Sequence, residues 1–371
     1  MRALLFSTLV GVLAPAIAAP APAATGQRYE VVDLGVIQRL AVDVVPGLSH
    51  SGNVVTWHQD AGQTFTGLLR KGTTERLARE SPVREAERTL TPPKGYQNSF
   101  AYSVNDRGNA VGWSNTTANP VDSASVVHAT FFGAHGAIDL GTLGGRRSRA
   151  YAINDHDVVV GVSELADGTQ RPFLYNGRME PLDTLTGGTY GIAFDINNSG
   201  LIAGASGMPS SSSRPRVHAV LWIKGVPRDL GTLEKAGNSV AYAVNDHGDV
   251  TGVTDLDGEE TVFLYQQGTM RDLHIGGHAF GINNADDIVG TLTPPERGRP
   301  RGFLWHEGEL QELNSLLSSD TYRIEVAYRI NDRGQILCSG VGQPGMGQAG
   351  MAQSTLHALL LNPAGKNTRV R

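Results

Sequence analysis

A tandem repeat dominates this sequence and restricts the folds that are open to it. A short motif recurs roughly every 40 to 55 residues, a period typical of solenoids and propellers. Its clear copies are AYSVNDRGNAVGW (101–113), AYAINDHDVVVG (150–161), IAFDINNSGLIAG (192–204), AYAVNDHGDVTG (241–252), HAFGINNADDIVG (278–290) and AYRINDRGQILCSG (327–340). A degenerate seventh copy, PGLSHSGNVVTW (46–57), precedes them. The chain is therefore expected to consist of seven related units.

A second motif follows the first in each unit. It reads HATFFGAHGAIDLGTL (128–143), RPFLYNGRMEPLDTL (171–185), HAVLWIKGVPRDLGTL (218–233), TVFLYQQGTMRDL (261–273) and RGFLWHEGELQEL (301–313), with a weak version, FTGLLRKGTTERL (65–77), in the first unit. After the last copy of the first motif only HALLLNP (357–363) remains, without a D-L-G-type segment. Each motif places two apolar-alternating segments around turn residues, so a complete unit predicts four antiparallel strands.

The N-D-x-G turn of the first motif fits a tight hairpin. Asn and Asp bond the local backbone in such turns, and the last position needs a residue that tolerates a left-handed conformation. That position holds Gly in five units and Asp in two: Gly52, Gly108, Gly200, Gly248, Gly334, Asp157 and Asp286. Asp is one of the few non-glycine residues that adopt this conformation, so the substitutions are consistent with the predicted turn.

The segment Tyr29–Gly35, YEVVDLG, carries the D-L-G that the seventh unit lacks. This predicts an all-β fold, a seven-bladed β-propeller of four-stranded antiparallel blades in which the N-terminal strand completes the last blade and closes the ring. An open β-solenoid is the alternative, and in it the missing strand would be a coincidence. The predicted single domain spans residues 29–363, and 364–371 form a short C-terminal tail.

The two motifs together resemble the repeats of the extracellular HAF-repeat family of bacteria. The third strand of the unit carries the family's signature at His128-Ala129-Thr130, His218-Ala219-Val220 and His357-Ala358-Leu359, and it is looser at Arg171-Pro172-Phe173 and Arg301-Gly302-Phe303. The D-L-G-T-L-G-G run at 139–145 matches the family pattern. The resemblance covers nearly all of residues 29–363. It implies an exported, propeller-like repeat protein and no particular activity.

Residues 1–24 have the layout of a secretory signal peptide followed by an Ala/Pro-rich leader. Arg2 supplies the positive region, Ala3–Leu13 the apolar region, and Ala16-Ile17-Ala18 a small-residue cleavage site near Ala18. Pro15 and Pro20 shorten the apolar run below the roughly 20 residues that a membrane-spanning helix needs. We therefore expect a secreted or periplasmic protein with no membrane span after signal cleavage.

Composition and motifs exclude several classes of function. The formal net charge is −5 with both signs spread along the chain, which argues against a nucleic-acid partner. Cys338 is the only cysteine, so no internal disulfide can form. Nucleophile-elbow, metalloprotease-helix and phosphate-loop motifs are absent. We expect no cofactor, and the sequence does not indicate an enzyme.

The candidate binding surface is a basic rim. The loops between second and third strands and those between units vary most in length, and in a propeller they leave on the same rim. Its arginines are Arg146, Arg147, Arg149, Arg214, Arg216, Arg297, Arg299 and Arg301. Arginine pairs well with carboxylate and phosphate groups, which predicts binding of an anionic glycan or an acidic protein patch. The alternative interpretation is solvated charge that nearby acids balance.

Three other residue sets were weighed. The aromatic residues of the first strand fit packing between units better than platforms for a sugar; they are Tyr102, Tyr151, Phe194, Tyr242, Phe280 and Tyr328. A structural role is favoured for His128, His218 and His357, which share one repeat position. A weak calcium candidate, without the full set of oxygen ligands, consists of Asp255, Asp257 and Glu259.

The sequence thus predicts an exported β-propeller that acts as a binding or interaction module and recognises an extracellular or envelope ligand through its loop-rich rim. One alternative is a carbohydrate-active hydrolase or lyase. Hydrolysis would need paired carboxylates at the channel mouth. The other alternative is a purely structural envelope protein.

Overall fold

The computed structural model describes residues 27–37, 45–59, 64–72, 87–117, 125–209, 216–235, 237–294, 298–343 and 355–364. The predicted leader, Arg214, Arg297 and most of the C-terminal tail lie outside these residues. The described chain is built from β-strands and one short helix, Leu313–Leu316. No described helix has the length and apolar composition that crossing a membrane requires.

The strands fall into seven units that match the sequence repeats. The strand β1 (Tyr29–Val36) precedes unit 1. Unit 1 contains β2 (Gly47–Leu48), β3 (Val54–Gln59), β4 (Phe65–Arg70) and β5 (Glu87–Leu90). Unit 2 contains β6 (Asn98–Val104), β7 (Ala110–Asn115), β8 (Val127–Gly133) and β9 (Gly136–Asp139). Unit 3 contains β10 (Gly144–Ile153), β11 (Val159–Leu165), β12 (Gln170–Tyr175) and β13 (Met179–Pro181). Unit 4 contains β14 (Gly191–Ile196), β15 (Ile202–Met208), β16 (Arg216–Ile223) and β17 (Val226–Gly231).

The remaining units follow the same order. Unit 5 contains β18 (Ser239–Val244), β19 (Val250–Leu256), β20 (Glu259–Gln266) and the first part of β21 (Thr269–Ile282). Unit 6 contains the second part of β21, β22 (Ile288–Leu292), β23 (Arg301–His306) and β24 (Glu309–Glu312). Unit 7 contains β25 (Tyr322–Ile330), β26 (Ile336–Gly342) and β27 (Leu356–Pro363).

The sheets keep consecutive strands of a unit side by side and antiparallel. Units 2 and 3 are joined into one sheet by a single parallel pair, Arg147 with Val127. Units 5 and 6 are joined because β21 runs through both. Apolar clusters lie between neighbouring units; one combines Leu221 and Leu230 of unit 4 with Val250 and Phe263 of unit 5. Because each unit covers its neighbour, the core is distributed along the repeat.

The N-terminal strand completes the sheet of unit 7. β1 pairs antiparallel with β27 from Tyr29 opposite Pro363 to Val36 opposite His357. The order of this sheet is β1-β27-β26-β25, so β1 occupies the place of the fourth strand. The pairing predicted for the YEVVDLG segment is therefore present in the structure.

A β-bulge recurs in the first strand of units 2 to 7. The pairing with the second strand shifts at the aromatic position, for example between Ala150 and Ala152 and between Ala241 and Ala243. Strict alternation would place the aromatic residue on the face of the aliphatic residue two positions on, and the bulge breaks that alternation. The expectation that side chains alternate strictly between the two faces of the strand therefore fails at the aromatic residue.

The bulge explains a glycine that the sequence analysis did not single out. A Cβ on the glycine opposite the bulge would lie 1.9 to 2.1 Å from a carbonyl oxygen of the first strand in five units, at Gly112, Gly161, Gly204, Gly252 and Gly290. No side chain fits at such a distance, so the second strand needs glycine in these five units; in unit 7 the residue opposite Ala327 is Cys338. The recurring G of the A-V-G, V-V-G, I-A-G, V-T-G and I-V-G triplets is the sequence signal.

Candidate functional site

The first strands of the units surround a central cavity. Its volume is about 100 Å³, and its walls include Ser103, Asp195, Ala243, Gly281 and Arg329, which occupy one repeat position directly after the aromatic residue. Of these five residues, Asp195 and Arg329 have charged side chains. The cavity thus has a carboxylate from unit 4 and a guanidinium from unit 7 in its wall.

Both charged residues bond to the backbone of a neighbouring unit. Asp195 Oδ2 accepts a hydrogen bond from the Val244 N–H at 3.0 Å. Arg329 Nη1 donates to the carbonyl oxygen of Phe280 at 2.8 Å. Burial raises the pKa of the Asp195 carboxyl, and the positive charge of Arg329 offsets part of that rise. The two side chains therefore connect adjacent units while placing opposite charges at the cavity.

The aromatic residues form an arc next to this position. Ring centroids of neighbouring units are 5.3 Å apart for Tyr102 and Tyr151, 5.7 Å for Tyr151 and Phe194, and 5.2 Å for Phe194 and Tyr242. The arc continues through Phe280 to Tyr328. Contact between rings of adjacent units is what the packing interpretation predicts.

The Asn of each N-D-x-G turn connects its unit to the next. Its side-chain amide donates to the carbonyl oxygen of the equivalent residue in the following unit, in the pairs Asn105–Asn154, Asn154–Asn197, Asn197–Asn245, Asn245–Asn283 and Asn283–Asn331. Unit 1 has Ser49 at this position, and Asn53 donates to Asn105 O instead. Asn331 donates to Ser49 O. These side chains are buried, so each bond satisfies a carbonyl group that is shielded from water.

The next residue of the turn adds a second set of bonds between units. Its backbone N–H donates to a side-chain oxygen of the equivalent residue in the following unit, as from Asp106 to Asp155 at 2.8 Å and from Asn198 to Asp246 at 3.0 Å. His50 Nδ1 lies 3.2 Å from Asp332 Oδ2, between the first and last units. The repeat pattern predicts a local turn role for these polar residues, and their contacts across unit boundaries are visible only in the structure.

The repeated histidines pair with the aspartate of the D-L-G segment. Nδ1 of His128 lies 2.9 Å from Asp139, and Nδ1 of His218 lies 2.9 Å from Asp229. His357 makes the same contact with Asp33 of β1 at 3.0 Å. These pairs agree with the structural role expected for the three histidines.

The predicted arginine rim divides into two groups. Arg301 forms an ion pair with Glu312, and Arg299 lies 3.8 Å from the buried Glu325. Arg216 contacts His218 at 3.2 Å. The solvated-charge alternative describes Arg299 and Arg301, because acids lie beside them.

The second group lies on β10. Arg146, Arg147 and Arg149 occupy this ten-residue strand, which begins at Gly144. Arg149 lies over the buried Trp113 ring of unit 2, 5.3 Å from its centroid. Arg146 is exposed and Arg147 is half-buried. The three residues are therefore held on one hydrogen-bonded strand at the boundary of units 2 and 3.

The acidic candidates lie apart from this group. Asp255 Oδ2 accepts hydrogen bonds from the backbone and the side chain of Asn238 at 2.9 Å, and Asp257 lies in a turn with φ 53°. A different set converges at the boundary of units 5 and 6. One ligand atom from each of His247, Asp249 and Asp286 lies within 4.8 Å of the other two.

The fold is similar to that of a solved propeller domain. No protein-family profile and no curated protein matches the sequence. The β-propeller domain of the trilobed protease from Pyrococcus furiosus, which has an open velcro topology, matches with a TM-score of 0.54 and 9% identity over 90% of this chain and 95% of that domain. The acylaminoacyl peptidase of Pyrococcus horikoshii matches with a TM-score of 0.41 and 13% identity over 82% of this chain and 58% of that one. A protein of unknown function from Dyadobacter fermentans matches with a TM-score of 0.41 and 11% identity over 90% of this chain and 99% of that one. The chain thus has an all-β, propeller-like fold.

Proposed function

We propose that the chain is an exported, closed seven-bladed β-propeller of the HAF-repeat type and that it acts as a binding module in the periplasm or outside the cell. Three contacts support closure: the pairing of β1 with β27, the bond from Asn331 to Ser49 O, and the bond from Arg333 Nη1 to Ser51 O at 3.0 Å. An open solenoid has no reason to bring its first and last units together. In contrast to the open velcro topology of the P. furiosus domain, strands from both chain ends share the last sheet.

The binding surface that we assign to this module is the arginine group of β10. The carrying observation is that Arg146, Arg147 and Arg149 lie on one strand, in which Arg149 pairs with Val162 of β11 and Arg147 pairs with Val127 of β8. A paired strand limits the motion of its side chains, so less conformational entropy is lost on binding. A planar guanidinium group can donate two parallel hydrogen bonds to one carboxylate or phosphate group.

The ligand that fits this surface best is an anionic glycan of the envelope or the extracellular space. Such a polymer offers carboxylates in a regular row, and Arg147 and Arg149, two positions apart on one strand face, can bind successive groups. An acidic protein patch is the competing ligand. Arg299 and Arg301 are left out of the assigned surface, because neither lies on β10; Glu325 and Glu312 lie beside them.

The test is retention of the chain without its first 24 residues on immobilised polygalacturonate, with dextran as the neutral control. We expect salt-sensitive retention and no cleavage of the polymer. The double variant Arg146→Glu/Arg147→Glu is expected to lose retention. Arg178→Glu/Lys224→Glu makes the same change in net charge at two exposed residues elsewhere and is expected to keep it.

Three outcomes would overturn the proposal. Retention that survives the Arg146→Glu/Arg147→Glu change would place the binding surface elsewhere. Cleavage of the polymer would favour the alternative of a carbohydrate-active hydrolase or lyase. No retention on any anionic polymer would favour the acidic protein ligand or a purely structural role in the envelope.

A further inference from the structure

Two of the seven N-D-x-G turns have Asp in place of the left-handed Gly, and each of these carboxylates points toward the preceding unit. Asp157 and Asp286 both have φ 62°. Asp157 Oδ1 accepts a hydrogen bond from Asn105 Nδ2 at 2.7 Å, and Asp286 Oδ1 accepts one from Asn245 Nδ2 at 2.9 Å. The boundaries of units 2 and 3 and of units 5 and 6 are therefore two copies of one arrangement.

At the first copy, the preceding turn neutralises the carboxylate. Arg107 Nη1 lies 3.1 Å from Asp157 Oδ2, and Asn109 Nδ2 donates to Asp157 Oδ1 at 2.9 Å. The formal charges of Arg107, Asn109 and Asp157 sum to zero. A cation, here a guanidinium group, thus lies beside the carboxylate.

At the second copy, the repeat positions of Arg107 and Asn109 hold His247 and Asp249. Their ligand atoms and one of Asp286 lie within 4.8 Å of one another. With His247 neutral, the formal charge of this group is −2. Gln266 Nε2 also donates to Asp286 Oδ2, at 3.0 Å, but a neutral amide does not balance a charge. The nearby carboxylate of Asp287 is held by His306 at 2.5 Å and Asn283 at 3.1 Å.

We propose that His247, Asp249 and Asp286 bind a divalent transition-metal ion at the boundary of units 5 and 6. An imidazole nitrogen with two carboxylate oxygens is a ligand set suited to Zn²⁺ and its first-row neighbours. Calcium prefers six to eight oxygen ligands and does not match it. Ligands about 2.0 to 2.2 Å from a zinc ion lie about 3 to 4 Å apart, so small side-chain rotations bring the three atoms into range.

The arrangement of the turns supports a bound cation in a second way. Asn245 Oδ1 accepts hydrogen bonds from the backbone N–H groups of His247 and Asp249, and the Asn245 amide donates to Asn283 O of the next turn, so the ligands come from two hairpins that are bonded to each other. The site lies at the N-D-x-G turns and is independent of the arginine group on β10. Three protein ligands leave a coordination position for water or an external molecule.

The experiment titrates ZnCl₂ into the metal-free chain by calorimetry, with CaCl₂ and MgCl₂ as controls. We expect a zinc site that is lost in the variant His247→Arg/Asp249→Asn, which copies the residues of the first arrangement and keeps the fold. Asp286→Gly restores the residue that five units carry and is expected to weaken zinc binding at least tenfold. Thermal unfolding of each variant reports whether it folds.

A gain of binding provides the sharpest control. Arg107→His/Asn109→Asp converts the first arrangement into the second, so we expect one additional zinc per chain. A stoichiometry that does not rise would contradict the geometry on which the proposal rests. Zinc affinity that is unchanged in His247→Arg/Asp249→Asn, or the absence of zinc binding to the unaltered chain, would overturn the assignment of the site. Tighter binding of Ca²⁺ than of Zn²⁺ would overturn the assigned class of ion.

Discussion

The side-chain amide of Asn331 donates a hydrogen bond of 3.1 Å to the backbone carbonyl of Ser49, across 282 residues of chain. The same kind of bond, from an Asn amide to the carbonyl of the next turn, joins consecutive units such as those of Asn154 and Asn197. The first and last units are therefore joined in the same way as neighbours in the sequence. A repeat array gains stability from each such boundary.

Asn197→Asp is expected to destabilise the fold by about 1–3 kcal/mol, the cost of leaving a buried hydrogen-bonding group without a partner. Oδ1 of Asn197 accepts from the Leu201 N–H within its own turn, and Nδ2 donates to Asn245 O, each at 2.8 Å. Asp keeps the acceptor, but it replaces the donor with a buried carboxylate oxygen that faces the Asn245 carbonyl. The measurement is urea unfolding.

Ser199→Asp serves as the control for Asn197→Asp. It adds the same charge at an exposed position of the same turn, and we expect a change within about 0.5 kcal/mol. Equal free energies of unfolding for the two variants would mean that the Asn amide contributes nothing across the boundary.

Gly252→Ala is expected to cost at least about 1–3 kcal/mol, the usual penalty of overpacking. The added Cβ would lie 1.9 Å from the carbonyl oxygen of Val240, and backbone cannot move aside as a side-chain end can. Gly276→Ala is the matched control, because no atom lies within 4 Å of its added Cβ. If Gly252→Ala melts at the same temperature as Gly276→Ala, the bulge does not require a glycine opposite it.

Asp139→Asn is expected to reduce the loss of melting temperature that the protein shows as the pH falls from 5 to 2. Burial by itself raises the pKa of Asp139, but hydrogen bonds from His128, Tyr96 and the Gly141 N–H outweigh it and lower the pKa from 3.8 to about 2. The folded-state pKa of Asp139 lies below its unfolded value. The stability that Asp139 contributes is therefore fully present above pH 3.8 and is lost as the pH falls through about 2. Melting temperatures between pH 5 and 2 test this, with the exposed Asp320→Asn as control. An unchanged slope would contradict the assigned hydrogen bonds.

Asp195→Asn is expected to raise the melting temperature at pH 7. Burial raises the pKa of this carboxyl above its model-peptide value of 3.8, with the positive charge of Arg329 acting in the other direction. A raised folded-state pKa means that the contribution of Asp195 to stability is full below 3.8 and is lost as the pH rises through the folded value. Asn keeps an acceptor for the Val244 N–H and carries no charge. The gain in melting temperature of the Asn variant over the unaltered chain should shrink below pH 4. A variant that is less stable than the unaltered chain at pH 7 would contradict this prediction.

The repeat made much of the fold predictable, because hydrophobic alternation and turn residues are local signals. The N-D-x-G hairpins, the Asp residues at left-handed positions and the pairing of β1 all follow from patterns that can be read along the chain. The bulge could not be predicted in this way, since alternation assumes one residue opposite one residue. Its indirect signal was the glycine opposite it, such as Gly161.

The candidate sites were harder to predict because their residues come from different units. The segment Asn245–Asp249 supplies only two of the three metal ligands, His247 and Asp249. The third, Asp286, comes close to them only because the two turns lie side by side. The ion pair of Arg301 was hard to predict for a related reason, since its partner Glu312 lies on the neighbouring strand β24 of the same unit. Sequence spacing gives the position of a residue within its unit, whereas charge balance depends on what the adjacent strand or unit provides.

The most direct test of the account is thermal unfolding of the chain with and without residues 29–35. We predict that the deletion lowers the melting temperature by many degrees and reduces solubility, because β27 then exposes an unpaired edge. A synthetic peptide of residues 27–37, added to the shortened chain, should recover part of the loss. An unchanged melting temperature after deletion would contradict the closed ring and favour an open repeat array.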